Sequence, residues 1–229
     1  MFSLMRNFPP WIKTVLVVGG GVLIGISTYG LLIYYERRHQ GFQDEGFEDT
    51  SKVEEQPERK VIVLGLDGVG KSTFIANLSK VDNVQNDIKP TEGFHIMSVN
   101  TQGTAINIWE IGGAETYRNY WGNFLQDTDA LVFVVDSNDS KRLPQAYDEF
   151  KKLIADDRLK DVPILVLANK QDIPECLSCK QIEDALNLKS ISPKLHKIKV
   201  LPLQISTNKP QHQSLKIAED TMIQFAFTK

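Results

Sequence analysis

The sequence has few cysteines and histidines and no excess of basic residues. Only two of its 229 residues are cysteines, Cys176 and Cys179, and the four histidines lack the spacing of metal ligands. These counts exclude a disulfide scaffold and a cysteine-built structural zinc site. Lysine and arginine number 26 against 29 acidic residues, a net charge of −3, which argues against a nucleic-acid partner.

The remaining composition is that of a globular chain. Hydrophobic residues make up 41% and charged residues 24%, which is enough apolar surface to bury a core. The length predicts one domain with additional segments rather than two full domains. Charge and hydropathy divide the chain into three unlike segments.

The first segment contains a long uncharged run, Val15–Tyr35, after a short N-terminal stretch, residues 1–14. The 21 residues of the run would form a helix about 31 Å long, close to the roughly 30 Å of a bilayer's hydrocarbon core. Trp11 precedes the run, and Arg37 and Arg38 follow it, as is typical of membrane interfaces. A cleaved signal peptide usually has only about 7–15 apolar residues, so we predict a retained transmembrane helix over residues 15–35.

The same segment gives no orientation and does not favour self-association. Two basic residues lie on each side of the run, so the positive-inside rule is undecided. Gly21 and Gly25 form a GxxxG pair, which can bring two helices into contact as a homodimer. Glycine is common in membrane helices, however, so the pair does not favour that homodimer.

The second segment, residues 36–59, is strongly acidic. Between Gln40 and Glu58 there are seven acidic residues and one basic residue, Lys52, a net charge of −6. Only three large apolar side chains lie there, too few to offset the entropy lost on ordering. The segment is predicted to be a disordered linker that anionic lipid would repel.

The third segment, residues 60–229, alternates short apolar runs with stretches of helical spacing. The runs predict buried parallel strands, and two alternating stretches around Gly103 predict a hairpin. Strands that alternate with helices imply an α/β domain with a parallel sheet covered on both faces. The predicted strands are Val61–Leu64, His95–Val99, Thr104–Trp109, Ala130–Val135, Val162–Ala168 and Lys199–Ile205, and the predicted helices are Lys71–Lys80, Leu143–Asp156, Cys179–Leu186 and Gln213–Phe227.

The sharpest motif follows the first predicted strand. Gly65–Ser72 reads GLDGVGKS and fits GxxxxGK[ST], the pattern of a phosphate-binding loop between a strand and a helix. Its glycines let backbone N–H groups converge on phosphate oxygens, and the start of the helix adds the positive end of its dipole. Lys71 would bridge the β- and γ-phosphates, and the Ser72 hydroxyl would bind Mg²⁺. The predicted phosphate-binding residues are Asp67, Gly68, Val69, Gly70, Lys71, Ser72 and Thr73.

A second motif, Asn169-Lys170-Gln171-Asp172, directly follows the predicted strand Val162–Ala168. The Asp172 carboxylate can accept hydrogen bonds from the N1–H and amino groups of guanine, which adenine lacks. Adenine would leave that carboxylate unpaired, at a cost in binding energy. Asn169, Lys170 and Asp172 are therefore predicted to bind guanine, which argues against an ATP-dependent enzyme.

Five ordered motifs resemble those of the ADP-ribosylation-factor-like small GTPases. The motifs are GLDGVGKS, PTEGF at Pro90–Phe94, WEIGG at Trp109–Gly113, VVDSND at Val134–Asp139 and ANKQD at Ala168–Asp172. The resemblance covers nearly all of residues 60–229, and the chain looks most similar to the membrane-segment-bearing branch, ADP-ribosylation factor-like proteins nine and ten. The resemblance implies an α/β P-loop small GTPase fold, with a six-stranded, mostly parallel sheet and five helices on both faces. It also implies GTP/GDP switching with Mg²⁺, protein effectors and an exchange factor.

Several residues match functional positions of that family. Thr91 matches the first-switch threonine that binds Mg²⁺ beside Ser72, and Gly113 matches the second-switch glycine whose N–H meets the γ-phosphate. Ser206 and Thr207 fall where the family contacts the guanine carbonyl.

Three aromatic residues, Phe94, Trp109 and Phe124, match the effector-facing surface of the family. Aromatic side chains at such positions are also typical of an ordinary core. The resemblance therefore implies an effector surface here, with burial in the core as the alternative.

The sequence departs from the family beside the phosphates. The aspartate of the family's DxxG motif is Glu110, whose longer carboxylate is expected to crowd the metal or displace one of its waters. The family's water-positioning glutamine is Ala114, which can neither donate nor accept a hydrogen bond. No residue is therefore predicted to be catalytic.

Two functional classes remain open, and both bind guanine nucleotide. One is a membrane-anchored switch with weak or absent intrinsic hydrolysis, and the other is an anchored scaffold that holds its nucleotide without turnover. Ala114 favours the scaffold, whereas the intact phosphate loop and Thr91 keep the switch open. In both cases we expect the GTPase domain, residues 60–229, to face the cytosol.

Overall fold

The computed structural model describes residues 57–78, 90–101, 103–205 and 213–228. Several predictions lie outside these residues: the transmembrane helix over 15–35, the linker up to residue 56, the pair Gly21 and Gly25, and the guanine contacts at Ser206 and Thr207. Within the described ranges, no helix combines the length and apolar character needed to cross a membrane.

Six strands and five α-helices make up the described part of the chain. The strands are β1 (Glu58–Leu64), β2 (Phe94–Thr101), β3 (Thr104–Ile111), β4 (Ala130–Asp136), β5 (Ile164–Asn169) and β6 (Ile198–Pro202). The helices are α1 (Lys71–Leu78), α2 (Glu115–Arg118), α3 (Leu143–Ile154), α4 (Cys179–Ala185) and α5 (Gln213–Ala226). Short 3₁₀ helices lie at Trp121–Phe124, Ser140–Arg142, Asp157–Leu159 and Leu188–Ser190.

The strands form one sheet in the order β2-β3-β1-β4-β5-β6. β2 and β3 pair antiparallel as a hairpin, and Gly103 at its turn has a φ of +74°, a conformation that glycine adopts readily. All four other strand pairs in this sheet are parallel. The predicted hairpin and the six-stranded, mostly parallel sheet are confirmed.

The centre of the sheet is buried on both faces. Every residue of β4 and β5 is buried, and successive side chains of a strand point to opposite faces. Helices therefore cover both sides of these strands, which explains their uninterrupted apolar runs. Phe150 of α3 packs against Phe133 of β4 with ring centroids 5.1 Å apart.

All six strands differ from the prediction in at least one boundary, and at β1, β5 and β6 the difference has a backbone reason. β1 begins at Glu58 because its pairing with β3 already starts at Ala105, so the last two residues of the predicted linker belong to the strand. β5 begins at Ile164, because Pro163 before it has no N–H to donate. β6 ends at Pro202, where its pairing with β5 also ends.

The parallel strands carry four separate segments of the sequence to one edge of the sheet. β1, β3, β4 and β5 run in the same direction, so their carboxyl ends lie together. The residues that follow these ends are Gly65, Gly112, Ser137 and Lys170. Ligands of open α/β sheets bind outside the carboxyl ends of the strands, so the candidate site lies at this edge.

Candidate functional site

The loop between β1 and α1 contains two glycines that a larger residue could not replace. Gly65 has a φ of +145°, and a Cβ there would lie 2.3 Å from the backbone oxygen of Val134. Gly70 has a φ of +94°, and a Cβ there would lie 2.3 Å from Nδ2 of Asn169. Both positions require a backbone conformation and a close approach that glycine allows. The loop can therefore direct backbone N–H groups toward an anion at the start of α1.

Lys71, the first residue of α1, is enclosed by this loop. Its side chain is buried, and its Nζ donates to the carbonyl oxygens of Gly65 and Leu66, each at 2.9 Å. Burial lowers the pKa of Lys71 from 10.5 to about 8, although the charges of Glu110 and Asp67 oppose this shift. An anion bound beside Lys71 would favour its charged form, as a phosphate does in a loop of this kind.

Three side-chain oxygens meet next to Lys71. Ser72 Oγ donates to Glu110 Oε1 at 2.5 Å, and Thr91 Oγ1 donates to the same carboxylate oxygen at 2.8 Å. The two hydroxyl oxygens lie 3.0 Å apart. Hydroxyl and carboxylate oxygens are the ligands that Mg²⁺ prefers in proteins. The structure brings the predicted metal ligands Ser72 and Thr91 together with Glu110, and this set of oxygens fits Mg²⁺.

Two glycines after β3 lie against the phosphate loop and the PTEGF segment. A Cβ on Gly113 would lie 2.4 Å from the backbone carbon of Leu66. A Cβ on Gly112 would lie 2.7 Å from the backbone oxygen of Thr91, and the Gly112 N–H donates to the Gly93 carbonyl at 2.8 Å. Gly113 therefore lies directly against the loop that is predicted to hold the phosphates.

One cleft is lined by these segments. Ala114, the residue before α2, lines the cleft. Its methyl group cannot form a hydrogen bond, so it does not cap the helix. Val69 is buried beneath the loop, where its carbonyl accepts from Asn169, and does not line the cleft. The predicted phosphate- and metal-binding residues that line it are Asp67, Gly68, Gly70, Lys71, Ser72, Thr73, Thr91 and Gly113.

The NKQD segment extends this edge beyond the phosphate loop. Asn169 Nδ2 donates to the Val69 carbonyl at 2.8 Å, which ties the two motifs together across 100 residues. Lys170 Nζ donates to the Asp136 carboxylate at 2.6 Å, and Asp172 is exposed to solvent. The side chain of Asp172 is therefore accessible to a ligand.

Two arginines that the sequence motifs did not identify hold the phosphate loop from outside. Arg142 donates to the backbone oxygen of Asp67 at 3.1 Å and to its carboxylate at 3.3 Å. The buried Arg118 donates to the Gly113 carbonyl at 2.9 Å and lies 3.9 Å from the Asp67 carboxylate. The Asp67 carboxylate is therefore paired with arginines. The contacts of both arginines with Asp67 join distant positions, so no local pattern could have predicted them.

Gln171 is a further residue that sequence reasoning missed. Its Nε2 donates to Ser137 Oγ and to the Leu177 carbonyl, both at 2.9 Å. These bonds hold the NKQD segment against the residue that follows β4 and against the loop before α4. Gln171 was present in the motif, but its partners could be found only from the fold.

The three predicted aromatic residues, Phe94, Trp109 and Phe124, form one cluster. Their ring centroids lie 5.3 to 6.1 Å apart, and Phe94 is 52% exposed. Lys60 Nζ lies 4.9 Å from the centroid of the Trp109 ring and donates to the Phe124 carbonyl at 2.8 Å. This aromatic cluster is therefore open to solvent at Phe94, whereas Trp109 and Phe124 are partly buried against the core.

Comparisons with known proteins agree with this geometry. Over 134 residues the chain is 43% identical to "ADP-ribosylation factor-like protein 3" of Chlamydomonas reinhardtii, covering 58% of this chain and 75% of that protein. The fold resembles the Arl6 (BBS3) small GTPase from Trypanosoma brucei, solved with the bound nucleotide analogue GppNp. That match has a TM-score of 0.61 at 23% identity and covers 73% of this chain and 98% of the other.

The strongest result is the match of residues 48–221 to the family described as "Arf: ADP-ribosylation factor family". The match includes the phosphate loop, the glycines after β3 and the NKQD segment. This chain therefore belongs to the ADP-ribosylation factor family, whose small GTPases bind GTP and GDP with Mg²⁺.

Proposed function

We propose that this protein is a membrane-anchored guanine-nucleotide switch that hydrolyses GTP very slowly. The observation that carries the proposal is the cleft itself, in which the phosphate- and metal-binding side chains are assembled while Ala114 presents only a methyl group. Binding and hydrolysis need different residues. Binding needs Lys71 and the metal ligands, whereas hydrolysis also needs a group that positions the attacking water.

The binding steps follow from the residues of the cleft. The phosphate loop and Lys71 would hold the phosphates, Ser72 and Thr91 would hold the cation, and the Gly113 N–H would donate to the terminal phosphate. The Mg²⁺ ion would neutralise charge on the phosphate oxygens. The hydrogen bond from Gly112 to Gly93 links the segment after β3 to the segment that carries Thr91. Contact of a terminal phosphate with either segment would therefore affect the position of the other.

The nucleotide state of the Trypanosoma brucei relative supports the choice of ligand. That protein was solved with GppNp, and its fold matches this chain. In this chain Asp172 supplies the acceptor for the guanine edge, and Asn169 connects it to the phosphate loop. These features support GTP rather than ATP as the nucleotide.

Membrane attachment is proposed from the sequence. The uncharged run over residues 15–35 supports a permanent anchor, and the acidic linker after it would keep the GTPase domain away from anionic lipid. Because GTP is used in the cytosol, we place residues 36–229 there. These features, together with the resemblance to ADP-ribosylation factor-like proteins nine and ten, support placing the chain in that branch.

The aromatic cluster is proposed as the surface that binds effectors. Phe94 is about half exposed. Lys60 supports the other two aromatic residues, through its cation–π contact with the Trp109 ring and its hydrogen bond to the Phe124 carbonyl. Exposed aromatic groups on a rigid support are typical of energetically important interface residues. An exchange factor would be needed to replace GDP on such a switch.

The second candidate function is a scaffold that holds nucleotide without turnover. Ala114 is the specific observation in its favour, since it removes the side chain that would position water. The two functions differ in whether bound GTP is ever converted to GDP. A single-turnover assay on the purified full-length protein separates them.

We expect Ala114→Gln to raise the single-turnover rate of GTP hydrolysis by roughly 10²-fold, because a positioned amide is typically worth that much in the transition state. Intrinsic rates of glutamine-bearing GTPases are only about 10⁻⁴ s⁻¹, so the wild type should turn over very slowly. The control is Glu115→Gln, which places the same amide one residue further on, at an exposed position. Normal wild-type turnover, or no gain from Ala114→Gln with normal GTP binding, would contradict this mechanism.

Asp172→Asn should change the preferred base from guanine to xanthine, because an amide donates where the carboxylate accepted. Competition between GTP, xanthosine triphosphate and ATP measures the change. Glu175→Gln, which neutralises a nearby exposed carboxylate, should leave the preference for GTP intact. The guanine assignment fails if the wild type binds ATP as tightly as GTP.

Nucleotide affinity should fall as the pH rises above about 8, because Lys71 has a pKa of about 8 before phosphate binds and a higher pKa afterwards. Below that pH the lysine is already charged and its contribution is complete. Above it, binding must take up a proton and weakens by up to about tenfold per pH unit. Calorimetry of GDP binding in buffers of different ionisation enthalpy should detect the uptake, and its absence between pH 8 and 9 would disprove it.

The membrane proposal predicts that the full-length protein resists extraction by alkaline carbonate, because about 20 apolar residues bind a bilayer effectively irreversibly. A variant lacking residues 15–35 is the control and should be extracted. A glycosylation site engineered near residue 45 should remain unmodified. Its glycosylation would place the linker on the wrong side of the membrane.

A further inference from the structure

The oxygens of Ser72, Thr91 and Glu110 are spaced like adjacent ligands of one octahedral ion. Their separations are 2.5, 2.8 and 3.0 Å. Around Mg²⁺, at metal–oxygen distances of about 2.0–2.1 Å, adjacent ligand oxygens lie about 2.9 Å apart. Three oxygens that are all adjacent to one another occupy one face of such an octahedron.

The three contacts among these oxygens share only two protons. Each hydroxyl carries one proton, and an ionised carboxylate carries none. When Ser72 and Thr91 both donate to Glu110, no proton is left for the contact of 3.0 Å between the two hydroxyl oxygens. Their lone pairs then face each other. A cation beside all three oxygens would accept those lone pairs and remove the repulsion.

Glu110 is also a buried charge without a counter-ion. The residue is 3% exposed, and no salt bridge joins it to a Lys, Arg or His in the described part of the chain. Lys71, whose pKa Glu110 raises, directs its Nζ at the carbonyls of Gly65 and Leu66 instead. A buried unpaired carboxylate is costly, and a bound cation would remove that cost.

The geometry points to Glu110 as a direct ligand of the divalent cation, beside Ser72 and Thr91 and in the place of a water molecule. The inference rests on the proposed function, because the cation is the one that accompanies the nucleotide. The longer side chain of glutamate brings the carboxylate to the ion itself. The three protein oxygens then hold the cation more tightly than two hydroxyls could, and hold it without nucleotide as well.

A count of water ligands tests this inference directly. In the full-length protein bound to a non-hydrolysable GTP analogue, Mn²⁺ replaces Mg²⁺, and the broadening of its electron paramagnetic resonance lines in water enriched in oxygen-17 reports its bound waters. We expect one water more in Glu110→Asp, whose carboxylate is one methylene shorter, than in the wild type. Glu115→Gln, the loss of a nearby exposed carboxylate, should match the wild type. Equal counts in the wild type and Glu110→Asp would overturn the inference.

A second measurement needs no nucleotide. Titration of the nucleotide-free full-length protein with Mn²⁺ should show one saturable site, and Glu110→Gln, of the same size but uncharged, should weaken it by at least about tenfold. Equal affinities in the wild type and Glu110→Gln would refute direct ligation. If the wild type binds Mn²⁺ through Glu110 but fails to bind the GTP analogue, the proposed function fails while this inference stands.

Discussion

The site depends on contacts between backbones that leave no room for side chains. A Cβ on Gly65, Gly112 or Gly113 would lie between 2.3 and 2.7 Å from a backbone atom of another segment. Through these contacts the ends of β1 and β3 and the PTEGF segment meet at fixed distances. Because backbone contacts allow little adjustment, the positions of Ser72, Thr91 and Glu110 follow from them. The glycines therefore act on the chemistry of the site without contacting a ligand through any side chain.

The parts of the fold that were predictable have local signals. The apolar runs of β4 and β5 indicate strands buried on both faces, and eight consecutive residues identify the phosphate loop. Strand boundaries were less predictable, since β1 is extended by pairing with Ala105 on another strand. The arginines on Asp67 could not be predicted, because Arg142 reaches it across 75 positions and no local pattern encodes such a pair.

The contacts of Glu110 change the interpretation of this residue. From the sequence, the additional methylene suggests crowding of the metal or loss of one of its waters. In the structure the carboxylate accepts hydrogen bonds from Ser72 on α1 and from Thr91, and so joins the phosphate loop to the PTEGF segment. The glutamate side chain is thus long enough to bridge the phosphate loop and the PTEGF segment. The sequence could identify the departure from the family but not the contacts that it makes.

The charges of the cleft favour binding of nucleotide and cation together. Asp67 is paired with Arg118 and Arg142, so its carboxylate is largely neutralised. Lys71 supplies one positive charge, although burial lowers its pKa. Glu110 supplies one negative charge and has no ion pair among the described residues. A polyphosphate that entered alone would bring several more negative charges to a site that is close to neutral. A divalent cation between the phosphates and Glu110 would balance those charges, so each of the two ligands would strengthen the binding of the other.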